Sequence, residues 1–382
     1  MNSVPFNVHV PDAALVDLRH RLALTRWPDE IAESGWEYGI PLEVVKRIVS
    51  HWRDAFDWRR AERELNRLPQ YQFEVDGHKI HYVHVKGGSG STPLILTHGW
   101  PGSFVEMYKI IPLLTDPANH GFADFPPFDV VVPSLPGFGF SQASTKPGLS
   151  SRSIAALWHN LMKALGYTRY FAQGGDIGAS VSSWIARLYP DALRGVHLNF
   201  IPGSYQPYVG PGLPPLSTRE SAWLAERGRW IAMEGGYSHL QATKPQTLAY
   251  SLADSPVGVA AWILEKFYAW SDGDTDLTER FGIDDLLTNV SIYWFSGNVA
   301  ATLRIYKENA KEPFRFEAGE RIAPPLCYAH FPKEIYGPPR EWVERAYSVA
   351  RWSEMPRGGH FAALEQPVLL ARDIHEAFAA FR

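Results

Sequence analysis

Hydrophobic spacing changes character along the chain. Leu15, Leu18 and Leu22 recur at helical spacing, and after Pro41 the series Leu42, Val45, Ile48, Val49, Trp52 and Phe56 marks one face of a second helix. Between residues 68 and 85 the period drops to two. Tyr71, Phe73 and Val75 precede an Asp76-Gly77 turn, and Ile80, Tyr82 and His84 follow on one side, a pattern that predicts a hairpin entering a sheet. From there short apolar strands alternate with helices: LILTH (94–98), a helix near 104–114, FDVVVPSL (128–135), a helix near 151–165, YFAQGG (170–175), a helix near 178–189 and GVHLNF (195–200). This order predicts an α/β fold with a mostly parallel sheet covered on both faces. After Phe200 the alternation stops. The Pro- and Gly-rich run IPGSYQPYVGPGLPPLS leads into about a hundred residues of helical periodicity, such as Val259, Trp262, Ile263, Lys266 and Phe267, without a strand. Strand-helix alternation resumes at PPLCYAHFP (324–332) and ends with a helix over about 364–381. The helical tract thus interrupts one sheet domain as an inserted cap. The divisions are an N-terminal extension at 1–90, a first core part at 91–202, the cap at 203–310 and a second core part at 311–382.

Composition removes several function classes. The 382 residues are 45% hydrophobic and 20% charged, ordinary globular usage that excludes a disordered or coiled-coil chain. Net charge is −4 and the 37 basic residues form no runs, so no nucleic acid partner is expected. The single cysteine, Cys327, forms no internal disulfide and no Cys-built metal site, and asks for no oxidising compartment. The first twenty residues lack a signal-peptide pattern and no run of 18 apolar residues occurs, which predicts a cytoplasmic chain without a membrane anchor. Aromatic residues reach 13%, more than a core alone usually calls for, and serve either as buried anchors or as the walls of an apolar pocket.

Three tracts carry chemistry. In YFAQGGDIGAS, Asp176 sits between a strand and a helix as Gly174-x-Asp176-x-Gly178, the spacing of a nucleophile elbow with aspartate where serine is usual. Read alone, an Asp ahead of a helix is an N-cap. THGWPGSF (97–104) is a strand, tight turn and helix at the position where an α/β hydrolase places half of its oxyanion hole. The backbone N–H groups of Trp100 and of Ile177 would form the two halves. RGGHFAALEQP (357–367) puts His360 in a loop between a late strand and the last helix, where a triad base belongs in this chain order.

Together these tracts resemble the α/β-hydrolase superfamily, and within it the microsomal-type epoxide hydrolases with an N-terminal extension. The resemblance extends over almost the whole chain. It includes TRWP, WEYG, HGWPGS, PGFGFS (136–141), GGDIG, the cap tract GGYSHLQATKPQTLAYSLADSPVGVAAWILEKF, IYKEN (305–309) and GGHFAALEQP. It implies the α/β-hydrolase fold with inserted cap, a nucleophile at Asp176, a catalytic base at His360, and epoxide-binding tyrosines at Tyr237 and Tyr306. The charge-relay acid it implies is Glu334, after a Phe-Pro pair, in preference to the neighbouring Glu341 and Glu344.

A carboxylate nucleophile favours attack on an sp3 carbon, which gives a stable alkyl ester, over attack on an acyl carbon, which gives an anhydride. The implied reaction takes a small apolar epoxide and water to a vicinal diol with no metal and no organic cofactor. The nearest enzymatic alternative is a haloalkane dehalogenase, which shares an aspartate nucleophile but has no use for two proton-donating phenols. A non-catalytic ligand-binding member of the fold would be expected to have lost one of these groups. Serine esterase chemistry is disfavoured because Ser180 lies past the elbow, on the following helix. The N-terminal helices either wrap the core and brace the cap or build a homodimer interface.

Overall fold

A computed structural model describes residues 3–382. Nine strands form one sheet: β1 (Val4–Phe6), β2 (Gln70–Val75), β3 (His78–Val85), β4 (Thr92–Thr97), β5 (Phe128–Pro133), β6 (Tyr170–Gly174), β7 (Leu193–Leu198), β8 (Ile322–His330) and β9 (Tyr347–Glu354). Their order is β1-β2-β3-β5-β4-β6-β7-β8-β9. Pairing is parallel from β5 through β9, whereas β1, β2 and β3 add antiparallel strands at one edge. The alternation around Asp76-Gly77 is the β2–β3 hairpin, with Val75 paired to His78. Strands β4, β5 and β6 are buried through nearly their whole length, as expected of parallel strands covered on both faces.

The elements differ from the sequence expectation where the signal is short or interrupted. β1 spans three residues, too few for a visible period. The helix expected over 104–114 is a 3-10 turn at Phe104–Met107 followed by Ile111–Thr115. The last helix is Pro367–Ala379, preceded by a separate turn at Ala362–Glu365, because Pro367 begins a helix and cannot continue one. The helix after β6 begins at Asp176 and not near Gly178.

The tract between β7 and β8 folds as helices from Thr218–Glu234 to Val299–Lys311. Its entry and exit are tied by a bridge between Gln206 and Arg315. The N-terminal helices Asp12–Ala23 and Leu42–Asp54 bury Leu18, Leu22, Val45, Ile48 and Trp52 within the chain. The Trp52 indole donates to Ser291 Oγ of the cap at 3.0 Å, and Arg47 pairs with Asp276 at 2.5 Å. The buried faces of these two helices thus brace the cap. No helix among the described residues is long and apolar enough to cross a membrane.

Candidate active site

Register brings the site together. Thr97 pairs with Gly174 in the parallel β4–β6 ladder, so the chain leaving β4 through Gly99 and Trp100 faces the chain leaving β6 through Asp176. β5 and β6 flank β4 on opposite sides, and the crevice outside the carboxyl ends of such strands is where open α/β sheets hold ligands. β8 and β9 end at the same edge and deliver Glu334 and His360, with Lys333 bridged to Gly359.

Asp176 has φ +48°, a left-handed conformation that costs a non-glycine residue roughly 1–3 kcal/mol. Close packing holds it there. A Cβ on Gly178 would overlap the Thr97 carbonyl oxygen, and one on Gly99 would overlap the Asp176 side chain. Because the obstacle at Gly178 is backbone, Gly178→Ala is expected to lower stability by about 3 kcal/mol, read as a fall in the thermal unfolding midpoint. An unchanged midpoint would show that the elbow is looser than this packing implies.

The Trp100 amide donates to Asp176 Oδ1 at 2.9 Å. No hydrogen bond from the Ile177 amide to the same carboxylate occurs among the described residues. His360 Nε2 stands 3.4 Å from Asp176 Oδ2, and its Nδ1 stands 2.6 Å from Glu334 Oε1. Glu334 Oε1 also accepts the Ile335 amide at 2.8 Å. Glu341 and Glu344 lie elsewhere, beside Ser217 and Arg340 respectively. Burial opposes protonation of His360, and the two facing carboxylates overcome it, holding the imidazole well above its ordinary 6.5.

The loop that carries His360 is fixed by groups that periodicity could not reveal. Glu365 accepts the amides of Asp272 at 2.7 Å, Gly359 at 3.1 Å and Phe361 at 2.9 Å, gripping the chain on both sides of His360. The His360 amide donates to the Trp270 carbonyl at 2.9 Å, and a Cβ on Gly359 would stand 2.6 Å from that oxygen. The glycine before the histidine is thus a packing requirement. The imidazole is further walled edge-on by Trp270 and Phe200, at ring centroid distances of 5.1 and 5.5 Å.

Tyr237 stands on the cap helix Gly236–Thr243 and Tyr306 on Val299–Lys311. Their rings lie 5.9 Å apart, and both face Trp100, at 5.3 and 5.7 Å. Burial, with the neighbouring tyrosines and Asp176, pushes both phenols well above their ordinary 10, so each keeps its proton at neutral pH. Asp176, Tyr237 and Tyr306 line one cavity of about 390 Å3, together with Phe200, Trp230 and Tyr336. The aromatic excess thus serves both readings given above, since Trp158, Trp270 and Tyr82 are fully buried anchors.

Fold and site define an α/β hydrolase with aspartate at the elbow, a His-Glu pair behind it and two phenols in the cap. Residues 3–107 fit the family model "Epoxide hydrolase N terminus" and residues 92–211 the model of the alpha/beta hydrolase fold. The chain is 45% identical to a Stigmatella aurantiaca relative, over 99% of this chain and 85% of that one. It is 42% identical to "Epoxide hydrolase 1" of Oryctolagus cuniculus, over 97% and 87%. The solved juvenile hormone epoxide hydrolase of Bombyx mori superposes with a TM-score of 0.88 at 28% identity, covering 100% of this chain and 95% of that one. The chain belongs to the epoxide hydrolase family.

Proposed function

We propose that this chain hydrolyses apolar epoxides to vicinal diols through an ester on Asp176. The observation that carries the reading is the continuous series Trp100 amide, Asp176, His360 and Glu334, opening on a cavity that two protonated phenols also line. The phenols favour this reading over haloalkane chemistry, because an opening epoxide leaves an alkoxide that must be protonated whereas a halide leaves as a stable anion. A cavity of about 390 Å3 with Phe200, Trp230 and Tyr336 in its wall suits an apolar small molecule. The free and buried Cys327 is compatible with the cytoplasmic location read from composition.

The steps balance as follows. Asp176 attacks one ring carbon, the ring C–O bond breaks toward oxygen, and a phenol of Tyr237 or Tyr306 supplies the proton, leaving a hydroxyalkyl ester and a phenolate. A water then attacks the Asp176 carboxyl carbon and gives its proton to His360. The oxyanion forms on Oδ1, where the Trp100 amide already points, and the Ile177 amide is the candidate second donor once charge develops there. Collapse breaks the bond to the alkyl oxygen, which takes the proton from His360. The remaining carboxylic proton returns to the phenolate.

Esterification also prepares the base. In the free enzyme His360 lies between two carboxylates that favour its protonated form. Forming the ester removes the charge on Asp176, so the imidazole's proton affinity falls just when a neutral base is needed. Glu334 remains and still raises it. In Glu334→Gln the pH below which ester decay fails is therefore expected to move down by about one unit or more, while the plateau rate falls at least about tenfold. Single-turnover decay measured from pH 5 to 9 checks this, and an unmoved inflection would remove Glu334 from the relay.

The reading as a whole is tested by one turnover in H2(18)O at enzyme excess. The expected product is an unlabelled diol with the heavy oxygen in the Asp176 peptide. Label entering the diol in the first turnover would mean direct attack by water on the epoxide, without an ester.

A further inference from the structure

The steps above leave unused a half-buried carboxyl beside the loop that holds the nucleophile. Glu106 lies on the 3-10 turn Phe104–Met107, immediately behind the Trp100 loop. A Cβ on Gly102 would overlap Glu106 Oε2 and stand 3.6 Å from the Gly99 carbonyl oxygen, and Gly99 itself abuts Asp176. Only a glycine turn separates this carboxyl from the nucleophile. Glu106 has neither a side-chain hydrogen bond nor an ion pair among the described residues. Desolvation pushes it up to about 8, against the pull of His360, which favours the carboxylic acid form, able to donate as well as accept.

Glu106 lines a second cavity, of about 230 Å3, that is separate from the one holding Asp176. Helix Trp58–Leu65 of the extension forms one wall, Phe267 and Phe281 of the cap another, and Leu364, four residues after His360, closes it. Phe361 stacks on Phe267 at 4.1 Å, so this wall continues to the His360 loop. The rim is charged, with Lys109 paired to Asp285 at 2.8 Å. Asn289 also lines the cavity. Its Nδ2 donates to the Pro101 carbonyl at 2.9 Å, while its Oδ1 is buried without a partner. A carboxylic acid and a free amide oxygen in one small cavity are the two or more polar partners that a held water requires.

We propose that this cavity is the route and holding site of the hydrolytic water, with Glu106 and Asn289 as positioning residues for the second half of the reaction. The inference rests on the ester mechanism proposed above. An apolar ester fills the substrate cavity and blocks it to water at the moment water is consumed. A separate entry between extension and cap supplies His360 from behind. The route gives the N-terminal extension a part in turnover beyond bracing the cap.

The test follows ester formation and ester decay separately, by rapid quench and intact mass with an apolar epoxide. Glu106→Leu is expected to form ester within about twofold of the parent rate and to lose it about tenfold or more slowly. Glu106→Gln, which keeps a donor and an acceptor, is expected to restore decay to within about threefold of the parent. Ala61→Trp, at the cavity wall and remote from the reacting groups, is expected to slow decay alone by blocking entry. Parent-like decay in both Glu106→Leu and Ala61→Trp, or equal slowing of both steps, overturns the water route and leaves the ester mechanism standing. Absence of any ester in the parent overturns both.

Discussion

With both phenols removed, in Tyr237→Phe combined with Tyr306→Phe, ester formation from an epoxide is expected to fall by about 10^3-fold or more. The alkoxide of an opening epoxide is a strong base, and water has little access to neutralise it between Trp100 and the two rings. Either single change leaves one donor, so the singles are expected to lose less, about tenfold to a hundredfold, and not to sum to the double. The fold should tolerate the double change because the rings stay. Their contacts with Trp100 at 5.3 and 5.7 Å, and that of Tyr237 with Trp270 at 5.1 Å, involve no hydroxyl. Rapid-quench measurement of ester formation, with thermal unfolding as the control, checks this. Full activity in the double variant would remove both tyrosines from the chemistry and reopen the dehalogenase reading.

The second large effect concerns His360. In His360→Gln the nucleophile is intact, its Oδ1 still held by the Trp100 amide, and the phenols are untouched. Ester formation is expected to persist. Ester hydrolysis has lost its base and should slow by about 10^3-fold or more, so turnover stops with the alkyl group on the enzyme. Gln suits the site because its amide nitrogen can still meet Glu334, whose carboxylate would otherwise be left buried with one of its oxygens already unpartnered. The two variants thus stall the cycle on opposite sides of one intermediate.

The sheet was largely legible from the chain because its parallel strands are apolar throughout and the helices between them are amphipathic. Interruptions were harder to see. The break before Pro367 and the split of 104–114 fall inside apolar runs that read as continuous helices, and the left-handed turn at Asp176 has no periodic signature. At the site, Asp176 and His360 were visible because their flanking glycines mark sharp backbone. Tyr237 and Tyr306 were not, since a tyrosine on an amphipathic cap helix is indistinguishable from packing. Only the resemblance singled them out. Glu334 stood among Glu341 and Glu344 with equal claim by residue type, and the tertiary contact with His360 separates it from them. Glu365 and Glu106 drew no functional reading because each looks like an ordinary surface acid on a helical turn; Glu365 is drawn inward by the Asp272 amide, and Glu106 lines a cavity walled by the extension and the cap, all distant in sequence.

The central claim is a covalent ester at Asp176 derived from an epoxide. Its most direct test is the intact mass of the His360→Gln variant after incubation with a panel of apolar epoxides and haloalkanes, followed by peptide mapping. The account predicts a mass gain equal to the whole epoxide, confined to the peptide that contains Asp176, and no adduct when Asp176→Ala is added. A gain equal to an alkyl group stripped of its halide, with no adduct from any epoxide, would contradict it.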